Sequence, residues 1–212
     1  MRKPVFIFIF FLLLTEVMWA QTLHYQFNRI DINQGLSNNQ VNCVFRDSTG
    51  FMWIGTVSGL NRFDGYHFTV YQHDLRDSAS LSDNNISRIM AGPGRKLWIQ
   101  TRSGINIYDP VTARFNRHPE TVLRQWGFPG NQVTDITRDR GGQFWFLHPN
   151  AGIFVVNAAG KALQLLHSAD TGSIATNSVS ALAQDKAGDY WLLHTNGILE
   201  KMDARTHRVV YR

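Results

Sequence analysis

Only one cysteine, Cys43, stands among 212 residues, which excludes an intramolecular disulfide framework and any thiolate cluster for zinc or iron–sulfur. Charge is scarce: 17% of residues are Asp, Glu, Lys or Arg, and the net +5 (21 basic against 16 acidic) is spread along the chain. No run of Lys and Arg marks a nucleic-acid footprint, so that partner class is set aside. With 17 Gly and 6 Pro the chain is neither collagen-like nor of low complexity. No long stretch of 3.6-residue periodicity occurs, so no helix is expected beyond the N-terminal leader. What is present is 43% hydrophobic and 12% aromatic residues, the composition of a globular chain rather than a disordered one.

Arg2 and Lys3 precede an apolar run from Val5 to Leu14, followed by Thr15-Glu16 and Met18-Trp19-Ala20. That is the order of a secretory signal peptide, with cleavage expected after Ala20. Ten apolar residues fall short of the roughly 20 that a membrane-spanning helix needs, and an uncleaved anchor is the alternative. Residues 1–20 are therefore expected to be a leader and the remainder to be exported to the periplasm. No cysteine near residue 20 would carry a lipid anchor.

A period of about 46 residues organises the rest. Trp53, Trp98, Trp145 and Trp191 are spaced 45, 47 and 46 apart. Twelve residues before each stands a β-branched residue, Val41, Ile86, Val133 or Val179, and six or seven after each a glycine, Gly59, Gly104, Gly152 or Gly197. Asp47, Asp139 and Asp185 open turns before three of the tryptophans, and the second unit has Gly92-Pro93-Gly94-Arg95 there instead. Asp caps backbone amides and Gly accepts positive φ, so these are turn residues and not paired catalytic carboxylates. Each unit reads as four short strands, with the tryptophan on the second, the glycine opening the third and a more polar fourth. Such units predict an all-β fold, a β-propeller arc of four four-stranded blades. The expected blade repeats are about 36–80, 81–127, 128–175 and 176–212, within one propeller domain over 21–212. The four tryptophans, with Gly59, Gly104, Gly152 and Gly197, are assigned to the repeat core between blades, since repetition at one strand position is a packing signature. Residues 25–32 read as one more outer strand before the first complete blade. Cys43, on an innermost strand, is expected to be a buried inert thiol.

The pattern Asn-x-Val, Asp-x-x-Gly-x-x-Trp-Ile-Gly-Thr, Gly-Leu-x-x-Phe-Asp over Asn39 to Asp64 resembles the two-component regulator propeller repeat. The stretch Gly35-Leu36-Ser37-Asn38-Asn39 resembles the lead-in to the first blade of such sensors. Units three and four depart from it at Phe146-Leu147-His148 and Leu192-Leu193-His194. The resemblance implies the N-terminal sensor part of a Bacteroidetes-type hybrid two-component receptor. Full members carry further blades, an immunoglobulin-like domain, a membrane helix, a histidine kinase and usually a receiver with a DNA-binding segment. It implies an inner-membrane parent, a homodimeric receptor, and membrane contact only through C-terminal parts beyond this sequence.

Two loop sets meet at one end of each blade: the lead-in to the first strand and the turn between second and third strands. They place Asn39, Asn85, Asn131 and Asn177 with Arg102, His148 and His194 near the central axis. Amides and a guanidinium suit a hydroxyl-rich ligand such as an oligosaccharide, and simple turn capping by the asparagines is the alternative. The eight histidines lack metal-ligand spacing, and no phosphate loop, nucleophile elbow or phosphoacceptor-histidine motif occurs. No metal, cofactor or catalytic residue is expected. Glycoside hydrolysis needs two placed carboxylates, and Asp83 and Asp135 do not recur as a pair. A ligand sensor is therefore favoured over a secreted lyase or glycosidase and over a protein-interaction scaffold.

Overall fold

Each repeat folds as an antiparallel meander because its apolar residues alternate with the two-residue period of a strand, one set facing the preceding repeat and the other the following one. The computed structural model describes residues 27–212, so the expected leader lies outside the described residues. The first sheet is β1 (Val41–Arg46), β2 (Met52–Thr56), β3 (Gly59–Phe63) and β4 (Phe68–Tyr71). The second is β5 (Ile86–Ala91), β6 (Leu97–Thr101), β7 (Gly104–Asp109) and β8 (Arg114–Asn116). The third is β9 (Asp135–Arg138), β10 (Phe144–His148), β11 (Gly152–Val156) and β12 (Ala162–Leu166). The fourth is β13 (Val179–Gln184), β14 (Tyr190–His194), β15 (Leu199–Met202) and β16 (Val209–Tyr211). In each the strands pair in sequence order, and the innermost strands β1, β5, β9 and β13 contact their neighbours in succession. These are four propeller blades, and they do not close into a ring.

Asp31–Arg212 form one compact unit. Residues 27–32 contain no strand, which corrects the outer-strand expectation over the described part of 25–32; a 3₁₀ turn at Ile32–Gln34 follows, capped by the Asp31 side chain. The expectation of no helix is corrected by one: α1 (Glu120–Gln125) lies between the second and third blades. Under two turns long, it shows no readable periodicity in sequence, and it is held by burial of Leu123.

Three apolar cores lie between successive blades, each with one repeat tryptophan. Trp53 packs with Ile86, Ile99 and Tyr108 of the second blade, Trp98 with Ile136 and Phe146 of the third, and Trp145 with Val179, Tyr190 and Leu192 of the fourth. These three indoles are at most 2% exposed. Trp191 is only partly buried, and its neighbours on that face, Leu193 and Leu199, are exposed. The asymmetry follows from alternation: each tryptophan points to the next blade, and among the described residues no blade follows the fourth.

The turn aspartates do more than turn. Asp47, Asp139 and Asp185 accept the indole Nε1–H of the tryptophan six residues on, at 2.7, 2.8 and 3.3 Å. Gly92 takes the same place six residues before Trp98, and a Cβ there would lie 2.3 Å from the indole. Gly152 shows why the third strand opens on glycine: its φ is +89°, and a Cβ would meet the Leu166 carbonyl oxygen. Cys43 is half-buried rather than fully buried, its thiol pushed up from its ordinary value by burial.

Candidate functional site

Register puts the two loop sets at one end of the blades: Val41 pairs with Thr56, Ile86 with Thr101 and Val179 with His194. This rim is built on a repeated polar latch. In the first blade the Ser37 amide donates to Asn61 Oδ1 at 2.8 Å, and the Ser37 and Thr56 hydroxyls bond at 2.8 Å. In the second the Ser82 amide donates to Asn106 Oδ1 at 2.9 Å, and the Ser82 and Thr101 hydroxyls bond at 3.0 Å. Asn61, Asn106 and both threonines are buried, and a buried polar group needs such partners. The sequence signal is an asparagine two residues after the repeat glycine, in the first two units only.

Register assigns the same places in the fourth blade to His194 and Glu200, since Glu200 pairs with Leu192 as Asn61 pairs with Ile54. The Ala175 amide donates to Glu200 Oε2 at 3.0 Å, His194 Nε2 bonds that oxygen at 2.8 Å, and His194 Nδ1 meets the Thr176 hydroxyl at 2.9 Å. The guanidinium of Arg212 donates to the other Glu200 oxygen. In the third blade aromatic packing replaces the latch: Phe128 stacks on Phe154 at 3.7 Å, with His148 beside them.

These bonds redistribute the rim residues named from sequence. His194 and His148 are 1% and 6% exposed, so neither projects from the rim as expected; they sit where the first two blades carry buried threonine. Asn39 Oδ1 accepts the Ile32 amide at 3.1 Å, and the Asn177 side chain joins the Ser168 amide to His167, so both amides are engaged in local structure. Asn85 and Arg102 do come together, around a cavity of about 400 Å³ that Asp83, Ser82 and His73 also line. Arg102 is exposed and pairs with Asp83 at 3.2 Å. The Asn85 amide, and then Arg102, hold the Asp83 carboxyl below its ordinary range. Asn131 lies in a separate cleft of about 320 Å³ with Gln132 and Pro149. Nearer the axis Arg88 pairs with Asp135 at 3.0 Å and donates to the Thr134 carbonyl. Each of the two rim aspartates is thus held by an arginine, an arrangement suited to fixed hydrogen bonding rather than to acid–base work by two carboxyls. Among the described residues no cluster of His, Cys, Asp and Glu could hold a metal ion.

His148 Nδ1 accepts the Asn150 and Ala151 amides at 3.1 and 3.0 Å, which requires the neutral ring. Burial holds its pKa below the ordinary 6.5. A group depressed in this way stabilises the fold fully above its unfolded pKa, and that stability is lost as pH falls. Urea unfolding should therefore show stability declining below pH 6.5. The slope should be shallower in His148→Asn by up to about 1 kcal/mol per pH unit; an unchanged slope would remove His148 as its source.

The blades and their polar end are what comparison with known proteins can place. Residues 35–58 match the two-component regulator propeller family, so that segment carries one such repeat. The chain is 37% identical over 78 residues to Histidine kinase P4 of Formosa agariphila, an alignment covering 37% of this chain and 6% of the kinase. It superposes with a TM-score of 0.58 and 28% identity on the extracellular domain of a hybrid two-component system of B. thetaiotaomicron, covering 88% of this chain and 27% of that one. YCF48 bound to D1 peptide is alike in fold alone, at 13% identity and a TM-score of 0.54, over 88% of this chain and 56% of that one. The chain thus spans well under a third of the length of the sensor proteins it resembles. Among the described residues no helix is long and apolar enough to cross a membrane.

Proposed function

We propose that this chain is a periplasmic ligand-sensing part of a two-component receptor, that its ligand is a carbohydrate, and that binding at the rim passes a signal to a histidine kinase through a dimeric, membrane-anchored parent. The convergence of Asn85, Arg102 and Asp83 on one cavity carries the reading. Amide, guanidinium and carboxylate there offer donors and acceptors in fixed directions, as hydroxyl-rich ligands require. The likeness to extracellular sensor domains and the leader-like N-terminus support it, and the arginine-held aspartates weigh against a glycosidase.

Calorimetric titration of the complete ectodomain with oligosaccharide digests tests this. Arg102→Ala is expected to weaken binding by about tenfold, one lost charge-assisted contact, whereas Arg208→Ala, on an exposed outer position, should leave it unchanged. Equal affinities for the two variants would remove the rim, and no binding to any glycan would remove the carbohydrate.

A further inference from the structure

We propose that the end of the blades opposite the rim holds a binding site for a soluble polyanion, a small ligand bearing two or more sulfate or carboxylate groups. A cavity of about 570 Å³ opens there between the first three blades, lined by Arg46, Arg95, Lys96 and Arg138. Each guanidinium comes from a different blade. Arg46 and Arg138 are the last residues of the innermost strands β1 and β9, and Arg95 comes from the turn after β5.

Three observations separate this cluster from an ordinary solvated face. First, among the described residues none of the three guanidiniums has a carboxylate partner; that of Arg138 lies over the Phe144 ring, 5.7 Å from its centroid, which orients it. Lys96 pairs with Asp109 at 3.3 Å. The cavity's own carboxylate, Asp47, is occupied by Thr49, the Phe51 amide and the Trp53 indole. Secondly, the second blade departs from the repeat at this place. Where the first blade carries Asp47, Gly50 and Phe51 it carries Gly92, Arg95 and Lys96, so relative to that blade the departure removes a negative charge and adds two positive ones. Thirdly, Arg95 adopts φ +63° directly after Gly94 at +68°, a left-handed backbone that a long side chain rarely takes and that tends to persist where function requires it. Convergent guanidiniums with free forks suit bidentate recognition of sulfate or carboxylate.

The site lies away from Arg102 and Asn85 and stands whether or not the rim binds sugar. The test is titration of the full chain at low salt with sucrose octasulfate, sucrose and sodium sulfate. The octasulfate should bind here once per chain and weaken as salt is added, and sucrose should not displace it. Arg46→Gln and Arg138→Gln should each weaken octasulfate binding by about tenfold, while Arg208→Gln, on an exposed outer position, leaves it unchanged. Arg95→Gly should lose affinity without lowering the melting temperature, since glycine accepts that backbone. Failure of the octasulfate to bind, or equal weakening by Arg208→Gln, overturns the site. Displacement of the octasulfate by sulfate at equal concentration overturns the claim that it reads more than one oxyanion.

Discussion

Replacing Trp98 by alanine is expected to destabilise the chain by about 3–5 kcal/mol, the range for a large aromatic removed from a closed core. Trp98 is 1% exposed, sits edge-on to Phe146 at 5.2 Å and stacks on Trp126 at 6.0 Å, so its loss opens a cavity between two blades that are each anchored elsewhere. Trp191→Ala should cost no more than about 2 kcal/mol, because its indole is already partly in solvent and little transfer energy remains to lose. Gly92 supplies the sharper test. Its backbone, φ −134° and ψ 175°, is one that alanine adopts freely, yet a Cβ there would lie 2.3 Å from two indole atoms of Trp98. Gly92→Ala should thus cost about 1–3 kcal/mol by overpacking and almost nothing when Trp98 is alanine. Urea unfolding of the two single variants and the double completes the cycle. Additive costs would show that the glycine does not answer to the indole, and a loss below about 1 kcal/mol for Trp98→Ala would show that this indole is not interblade core.

That coupling also shows how far the sequence could be read. The tryptophan period gave the blades and their order, because a residue recurring every 45 to 47 positions can pack identically only if the units are alike. The same spacing held the Asp–indole bond in plain sight, six residues apart in three units, but nothing in a turn signature says which side chain a turn carboxylate accepts from. Helix α1 went unread because two turns are too short to show a period. The rim was legible as loops and not as chemistry. Which of its side chains reach solvent depends on the neighbouring blade and the lead-in chain, so His148, His194, Asn39 and Asn177, all plausible ligands in sequence, are instead taken up by local structure. Asn85 and Arg102 remain together at one cavity, and Asn131 in a cleft of its own.

The fourth-blade latch yields the other large effect. Glu200→Ala is expected to cost about 3–5 kcal/mol, because it leaves several buried polar partners unsatisfied at about 1–3 kcal/mol each. His194 and Glu200 are both wholly buried in side chain, and removing the carboxylate strands the imidazole, the Ala175 amide and one bond of Arg212 at once. Burial by itself would raise the Glu200 carboxyl above its ordinary 4.5, but the Ala175 amide, Arg212 and His194 outweigh it and hold the group lower. A carboxyl depressed on folding lends stability above its unfolded pKa and loses it as pH falls, so the acid limb below pH 4.5 should flatten in Glu200→Gln. The repeat itself supplies the rescue. The first two blades fill these two places with threonine and asparagine, a neutral latch with no charge to compensate. His194→Thr combined with Glu200→Asn should therefore recover most of what Glu200→Ala loses, and its acid limb should be as flat as that of Glu200→Gln. Failure of the double variant to recover stability would mean that the fourth blade is shaped around its histidine–carboxylate contact, and that the equivalence of register between the blades does not extend to their chemistry.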